Sequence, residues 1–134
     1  MSQKPFSSGW NVTAWIIQIL MAFGTFAPAQ HKWFNTKAEL LAEGKQMIWV
    51  QEVPDWMFQF SSLAEVLIGL GLILPALFKI KSLLTIYAAY GLILLHLTAA
   101  GVHMYIHDSP MMNAMYIVFG VIIVWIRRKK AVLH

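Results

Sequence analysis

Residues 64–75 read Ala64-Glu65-Val66-Leu67-Ile68-Gly69-Leu70-Gly71-Leu72-Ile73-Leu74-Pro75, a single acid in an otherwise apolar and glycine-rich run. The run lies inside Trp56–Phe78, where Glu65 is the only Asp, Glu, Lys or Arg. At ~1.5 Å rise per residue such a stretch crosses a ~30 Å hydrocarbon core as a helix. The same reading extends to both sides. Pro5 to His31, Ser82 to His107 and Ser109 to Ile126 contain no charged residue other than histidine. Four spans are expected, at about Trp10–Ala27, Trp56–Phe78, Ser82–His103 and Pro110–Ile126. They must be helices, because four strands cannot close a barrel and an open sheet edge is not tolerated in lipid. The fold expected is all-α: a four-transmembrane-helix bundle, one membrane domain over residues 1–134, with an outer loop at 28–55.

Composition agrees. Of 134 residues, 59% are hydrophobic and 12% charged, about half the charged fraction of a soluble domain. Cysteine is absent, which excludes disulfides, iron–sulfur centres, thiolate metal sites and redox dithiols. The pI near 9.5 does not mark a nucleic-acid partner, since the basic residues form no stripe on a polar element. Lys4, the first apolar run and Ala27-Pro28-Ala29 imitate a signal peptide. Pro28 inside the supposed cleavage site favours a retained helix.

Four spans put both termini on one side with the loop between spans two and three. That side carries Lys4, Lys79, Lys81, Arg127, Arg128, Lys129 and Lys130 and no acid. The other carries Lys32, Lys37 and Lys45 against Glu39, Glu43, Glu52, Asp55 and Asp108. The positive-inside rule then makes the termini cytoplasmic, in the plasma (inner) membrane of a bacterium. Trp10 and Trp125 would mark the inner interface, and Trp33, Trp49 and Trp56 the outer one. In the outer loop, Thr36 to Val50 has a loose apolar set of Leu40, Leu41, Met47, Ile48 and Trp49. It reads either as an interfacial helix lying on the membrane or as a lid packed over the bundle.

The polar residues inside the spans are the candidate site. Counting from the outer boundary, Glu65 and Gln18 lie about 15 Å deep and His96 about 18 Å. His103 and Asn113 form a higher layer with Ser61, Ser62, Gln59 and Thr25. On the third span, Thr85, Ala89, Leu92, His96, Ala99/Ala100, His103 and His107 recur in steps of three and four, one stripe of small and polar residues that should face other helices. A charged side chain at the bilayer centre costs roughly 2.5–3.5 kcal/mol on insertion scales. Glu65 should therefore be protonated or paired, and His96 is the expected partner. A cavity opening to the outer half and lined by Glu65, His96 and His103 is expected. Glu65, His96, His103, Gln18 and Asn113 are the candidates for ligand binding or proton exchange, while Gln18, Ser61, Ser62 and Asn113 also read as ordinary interhelical hydrogen-bond partners. No catalytic residue is assigned and no metal site is expected. His96 and His103 are about 10.5 Å apart along a helix, too far to share one ion. His103 and His107 lack an acid between them and sit at a helix end. His107 and His134 read as solvated.

The run Trp56 to Pro75, with its Glu followed by Gly-rich apolar residues and a terminal Pro, resembles the second helix of DoxX-like small membrane proteins. The third helix with His96, Phe23-Gly24 with the nearby Lys32, and Pro110 and Asn113 opening the fourth helix fit the same pattern. The chain departs from it after Gly24, where Thr25 to His31 precede Lys32 in place of a tight glycine–lysine ending. The resemblance covers most of the chain apart from Asn35 to Val50. It implies a link to quinol oxidation or thiosulfate:quinone oxidoreduction in some members and an assembly role in a distant animal relative.

Three functions remain open. The first is a subunit or quinone- or lipid-binding component of a membrane redox system, since a buried Glu and His could exchange the protons that quinone reduction requires. No side chain here carries electrons, so this reading needs an oxidoreductase partner or a bound cofactor, quinone being the candidate. The second is a non-catalytic assembly or scaffold protein that docks a membrane partner or a second copy of itself. The third is a small proton-coupled transporter.

Overall fold

The computed structural model describes residues 9–44, 48–80 and 83–131. Lys4, Lys45, Met47, Lys81, Ser82 and His134 from the sequence reading lie outside these residues. The described chain forms six helices: α1 (Gly9–Phe34), α2 (Lys37–Leu41), α3 (Trp49–Glu52), α4 (Asp55–Leu77), α5 (Leu83–Tyr105) and α6 (Met111–Ala131). The four long ones are each long and apolar enough to cross a membrane, the last over Met111–Arg128.

They form a ring in which α1 packs on α4, α4 on α5, α5 on α6, and α6 back on α1. The α6–α1 seam is the thinnest of the four. Ile17, Met21, Ile68, Leu72, Ala89, Leu92 and Ile123 fill the axis. Large apolar side chains such as Leu67, Leu94 and Val118 point outward and are exposed, as lipid-facing positions must be. Close approach is secured by glycine. A Cβ on Gly71 would meet Ala88 of α5, and one on Gly24 would overlap the Tyr116 hydroxyl of α6.

Two expectations change. The first helix does not end at Ala27 but runs on to Phe34 through Pro28. Proline removes one helical hydrogen bond and normally kinks or ends a helix. Here the extension is held by packing, because Ala29 and Lys32 beyond the proline are both buried. Lys32 is therefore not in a loop. Likewise α6 continues past Ile126, so Arg127 is a buried helical residue and not part of a solvated cationic tail.

Of the segment Thr36 to Val50, the described residues include α2 and the start of α3, two short helices. Thr36 and Glu39 close a capping box at the start of α2, the helix ends at Leu41 with Ala42 as its C-cap, and Gly44 beyond the turn has φ 130°. Leu40 and Val50 are fully buried with Val53 and Phe58 in a second cluster, against Trp49, Met57 and Val102. The segment is thus a lid over the end of the bundle, called here the loop end. The opposite end, where α1 starts and α6 finishes, is the terminal end.

Candidate functional site

The buried face of α1 repeats every three or four residues: Ala14, Gln18, Met21, Thr25, Ala29, Lys32. The last of these carries a charge into the loop half of the bundle. Lys32 Nζ donates to Glu65 Oε1 and to Ser61 Oγ, each at 2.9 Å. The side chains are 7% and 13% exposed. Ser61, one turn before Glu65 on α4, donates its own hydroxyl hydrogen bond to the Phe58 carbonyl at 2.8 Å. Trp49 of α3 covers the ammonium, with its ring 5.5 Å away. An ammonium has three donors, and two are used. Glu65 Oε2 is buried with no partner among the described residues.

Glu65 and His96 therefore do not form the expected pair. A lysine on the last turn of α1 competes better for the carboxylate than a neutral imidazole, because opposite full charges attract strongly where water is scarce. His96 Nδ1 is 2.9 Å from Asn113 Oδ1, and its ring stacks on Tyr116 at 4.2 Å between centroids.

The other candidates separate. Gln18 belongs to the terminal half: its Nε2 donates to the Leu72 carbonyl and its Oε1 accepts from Arg127. The expected depth of about 15 Å assumes a helix ending near Ala27; α1 runs on to Phe34, which moves Gln18 toward the terminal end. His103 lies at the loop end, with Nδ1 2.9 Å from Asp108 Oδ2. His107 takes a left-handed conformation, φ 60°, closing α5 so that the Asp108 amide bonds back to the His103 carbonyl. That turn brings the Asp108 carboxylate to its histidine. The His103 hydrogen bond, together with the Ser109 amide, holds the Asp108 carboxyl below the ordinary aspartate range. Among the described residues no cluster of metal-ligating side chains occurs.

A cavity of about 660 Å³ opens at the loop end between α1, α4 and the start of α2, lined by Lys32, Asn35, Lys37, Phe58, Gln59 and Ser62, among others. The expected lining of Glu65, His96 and His103 is absent from it; Glu65 meets it only through Lys32. The Lys37–Asp55 ion pair, 2.7 Å, stands on its wall.

Sequence reasoning named Lys32 only as an outer-side cation and through the resemblance, named Arg127 only as a cation near the terminus, made neither a site residue, and missed Tyr116. Each lies on an extended helical repeat: Lys32 on that of α1, and Tyr116 and Arg127 on Asn113, Tyr116, Gly120, Ile123, Arg127 of α6, again in steps of three and four. Continuing the buried stripe of α1 past Pro28 finds Lys32, and following that of α6 from Asn113 into the basic tail finds Tyr116 and Arg127.

Comparison with characterised proteins and with solved structures returns no match. The sequence profile of the DoxX-like family does match, over residues 12–126. That match takes in all four long helices and the lid, so the chain is an integral membrane protein and a member of the DoxX-like family.

Proposed function

We propose that the protein is the component of a membrane redox system that binds a quinone, or a lipophilic small molecule with a similar carbonyl headgroup. The observation that carries this reading is the Lys32–Glu65 pair buried in the membrane-spanning bundle with a donor to spare, its lysine lining a cavity that opens at the loop end. A charge pair at such depth is costly to keep and marks a functional site by default. The residues fit the group. The cavity is within the about 300–1,000 Å³ typical of small-molecule sites. Trp33, Phe58 and Leu63 offer apolar surface to a ring. When bound, a quinone supplies two-electron, two-proton chemistry. Lys32 Nζ would donate to a headgroup oxygen, Ser61 and Glu65 would fix the ammonium, and Trp49 would keep water from it. Electrons would come from an oxidoreductase partner or a bound cofactor, since no side chain of this chain carries them. The cation asymmetry of the sequence supports a topology with cytoplasmic termini and the lid outside, in the inner membrane of a bacterium on this reading.

The test is quinone content after purification from native membranes, followed by titration with a short-chain ubiquinone. Wild type is expected to retain or bind it with a saturable rise in Tm. Lys32→Met should lose the response, and so should Leu63→Trp, which fills the cavity and leaves the ion pair intact. No bound quinone and no shift in wild type would overturn the reading.

A further inference from the structure

Arg127 is 9% exposed at the terminal end of the bundle. Its Nε donates to Gln18 Oε1 at 2.6 Å and its Nη1 to Asn11 Oδ1 at 2.5 Å. The guanidinium also stands over the Trp15 ring at 5.6 Å. All of these partners are neutral. Nη2 is buried and donates to none of the described residues. Of the five N–H donors of a guanidinium, three are left over.

The side chains of this protein cannot supply the missing negative charge. The sequence holds six acids, Glu39, Glu43, Glu52, Asp55, Glu65 and Asp108. Five belong to the loop end, and Glu65 is paired with Lys32. A buried cation without a counter-charge is among the most costly arrangements a protein keeps. Asn11 of α1 is the residue that Arg127 grips. The site lies in the thinnest seam of the ring, between α1 and α6, and Trp10 and Trp125 meet edge to face at 5.3 Å beside it, as interfacial tryptophans do at headgroup level.

We infer that Arg127, held by Asn11 and Gln18, forms a binding site for a phosphate group, with the phosphate supplied by an anionic phospholipid headgroup or by free phosphate. A phosphate oxygen takes the remaining guanidinium donors, which match its geometry. The exposed Arg128 next to it adds attraction without making the site. This inference is independent of the quinone reading, since it concerns the opposite end of the bundle.

The experiment is thermal unfolding and native mass spectrometry of the full-length protein in a neutral detergent, titrated with phosphatidylglycerol, phosphatidylcholine or inorganic phosphate. Wild type should bind phosphatidylglycerol more tightly than phosphatidylcholine, by about fivefold or more, the factor one engaged basic residue provides. Arg128→Gln should keep most of that preference and Arg127→Gln should lose it. Stabilisation by inorganic phosphate as well identifies a site for the phosphate itself; stabilisation by the lipid alone identifies a headgroup site. Should Arg127→Gln fail to fold, wild type and Arg128→Gln still decide. No preference in wild type, or a preference that Arg128→Gln abolishes, overturns the inference.

Discussion

Lys32 Nζ lies 2.9 Å from Glu65 Oε1, joining the last turn of α1 to the middle of α4 inside the membrane-spanning bundle. Removing one partner strands the other. Glu65→Gln and Lys32→Met should each cost about 3–5 kcal/mol, and the double variant much less than the sum. Glu65→Gln combined with His96→Leu should instead be additive within about 0.5 kcal/mol. Double-mutant cycles on thermal unfolding in detergent measure both. Additivity between Lys32 and Glu65 would remove the pair from the account.

Asp108 gives a pH prediction with a defined sign. Its folded carboxyl is held below the ordinary range by His103 and the Ser109 amide. A depressed carboxylate stabilises the fold fully above the unfolded aspartate value of about 4 and loses that contribution as pH falls through the lower folded value. Asp108→Asn should therefore lower Tm at neutral pH, and the gap between variant and wild type should close below about pH 4. A constant gap across the acid range would show that the carboxylate charge is not what matters at this turn.

How far the sequence is legible depends on what each residue competes against. The spans were readable because an apolar run of more than about 18 residues has few alternatives in water or lipid. Glu65 was readable as a site because its burial cost is high whatever its partner. The partner was not, since proline at 28 is locally a helix breaker, and only the burial of Ala29 and Lys32 against the bundle overrides it. Arg127 was hidden for a related reason. In a run of four cations nothing local distinguishes the one that turns inward, and its partners Asn11 and Gln18 lie more than a hundred positions away.

Lys79 ends α4 in the left-handed region, φ 54°, with the Ile80 amide bonded to the Pro75 carbonyl. A side chain in that conformation costs roughly 1 kcal/mol that glycine avoids. Lys79→Gly should raise stability by about that amount, read as a higher unfolding midpoint in the same detergent. A drop would mean that the Lys79 side chain contributes more than its backbone strain removes.

Orientation can be measured at two exposed positions on opposite ends, Glu43 and Arg128. In intact cells, Glu43→Cys should react with a membrane-impermeant maleimide, while Arg128→Cys should react only after the membrane is opened. The cation distribution predicts this order. The reverse order would invert the protein, and equal labelling of both from outside would contradict four spans.

Gly24 and Tyr116 offer the sharpest test of how α1 meets α6. A Cβ at position 24 would overlap the Tyr116 hydroxyl and come within 3.0 Å of the ring carbon bearing it. That ring is the one stacked on His96, which in turn holds Asn113. Gly24→Ala should therefore force Tyr116 outward and disturb the stack, at a cost of about 1–3 kcal/mol, the usual range for overpacking a close contact. Tyr116→Phe removes the hydroxyl that is struck first. In that background Gly24→Ala should cost clearly less, because only the ring carbon must give by a few tenths of an ångström. A double-mutant cycle on thermal unfolding reads the difference directly, and the histidine ring signals in an NMR spectrum report whether the stack moves. Equal penalties with and without the hydroxyl would place the tyrosine away from Gly24 and undo the packing of α6 on α1 at this level.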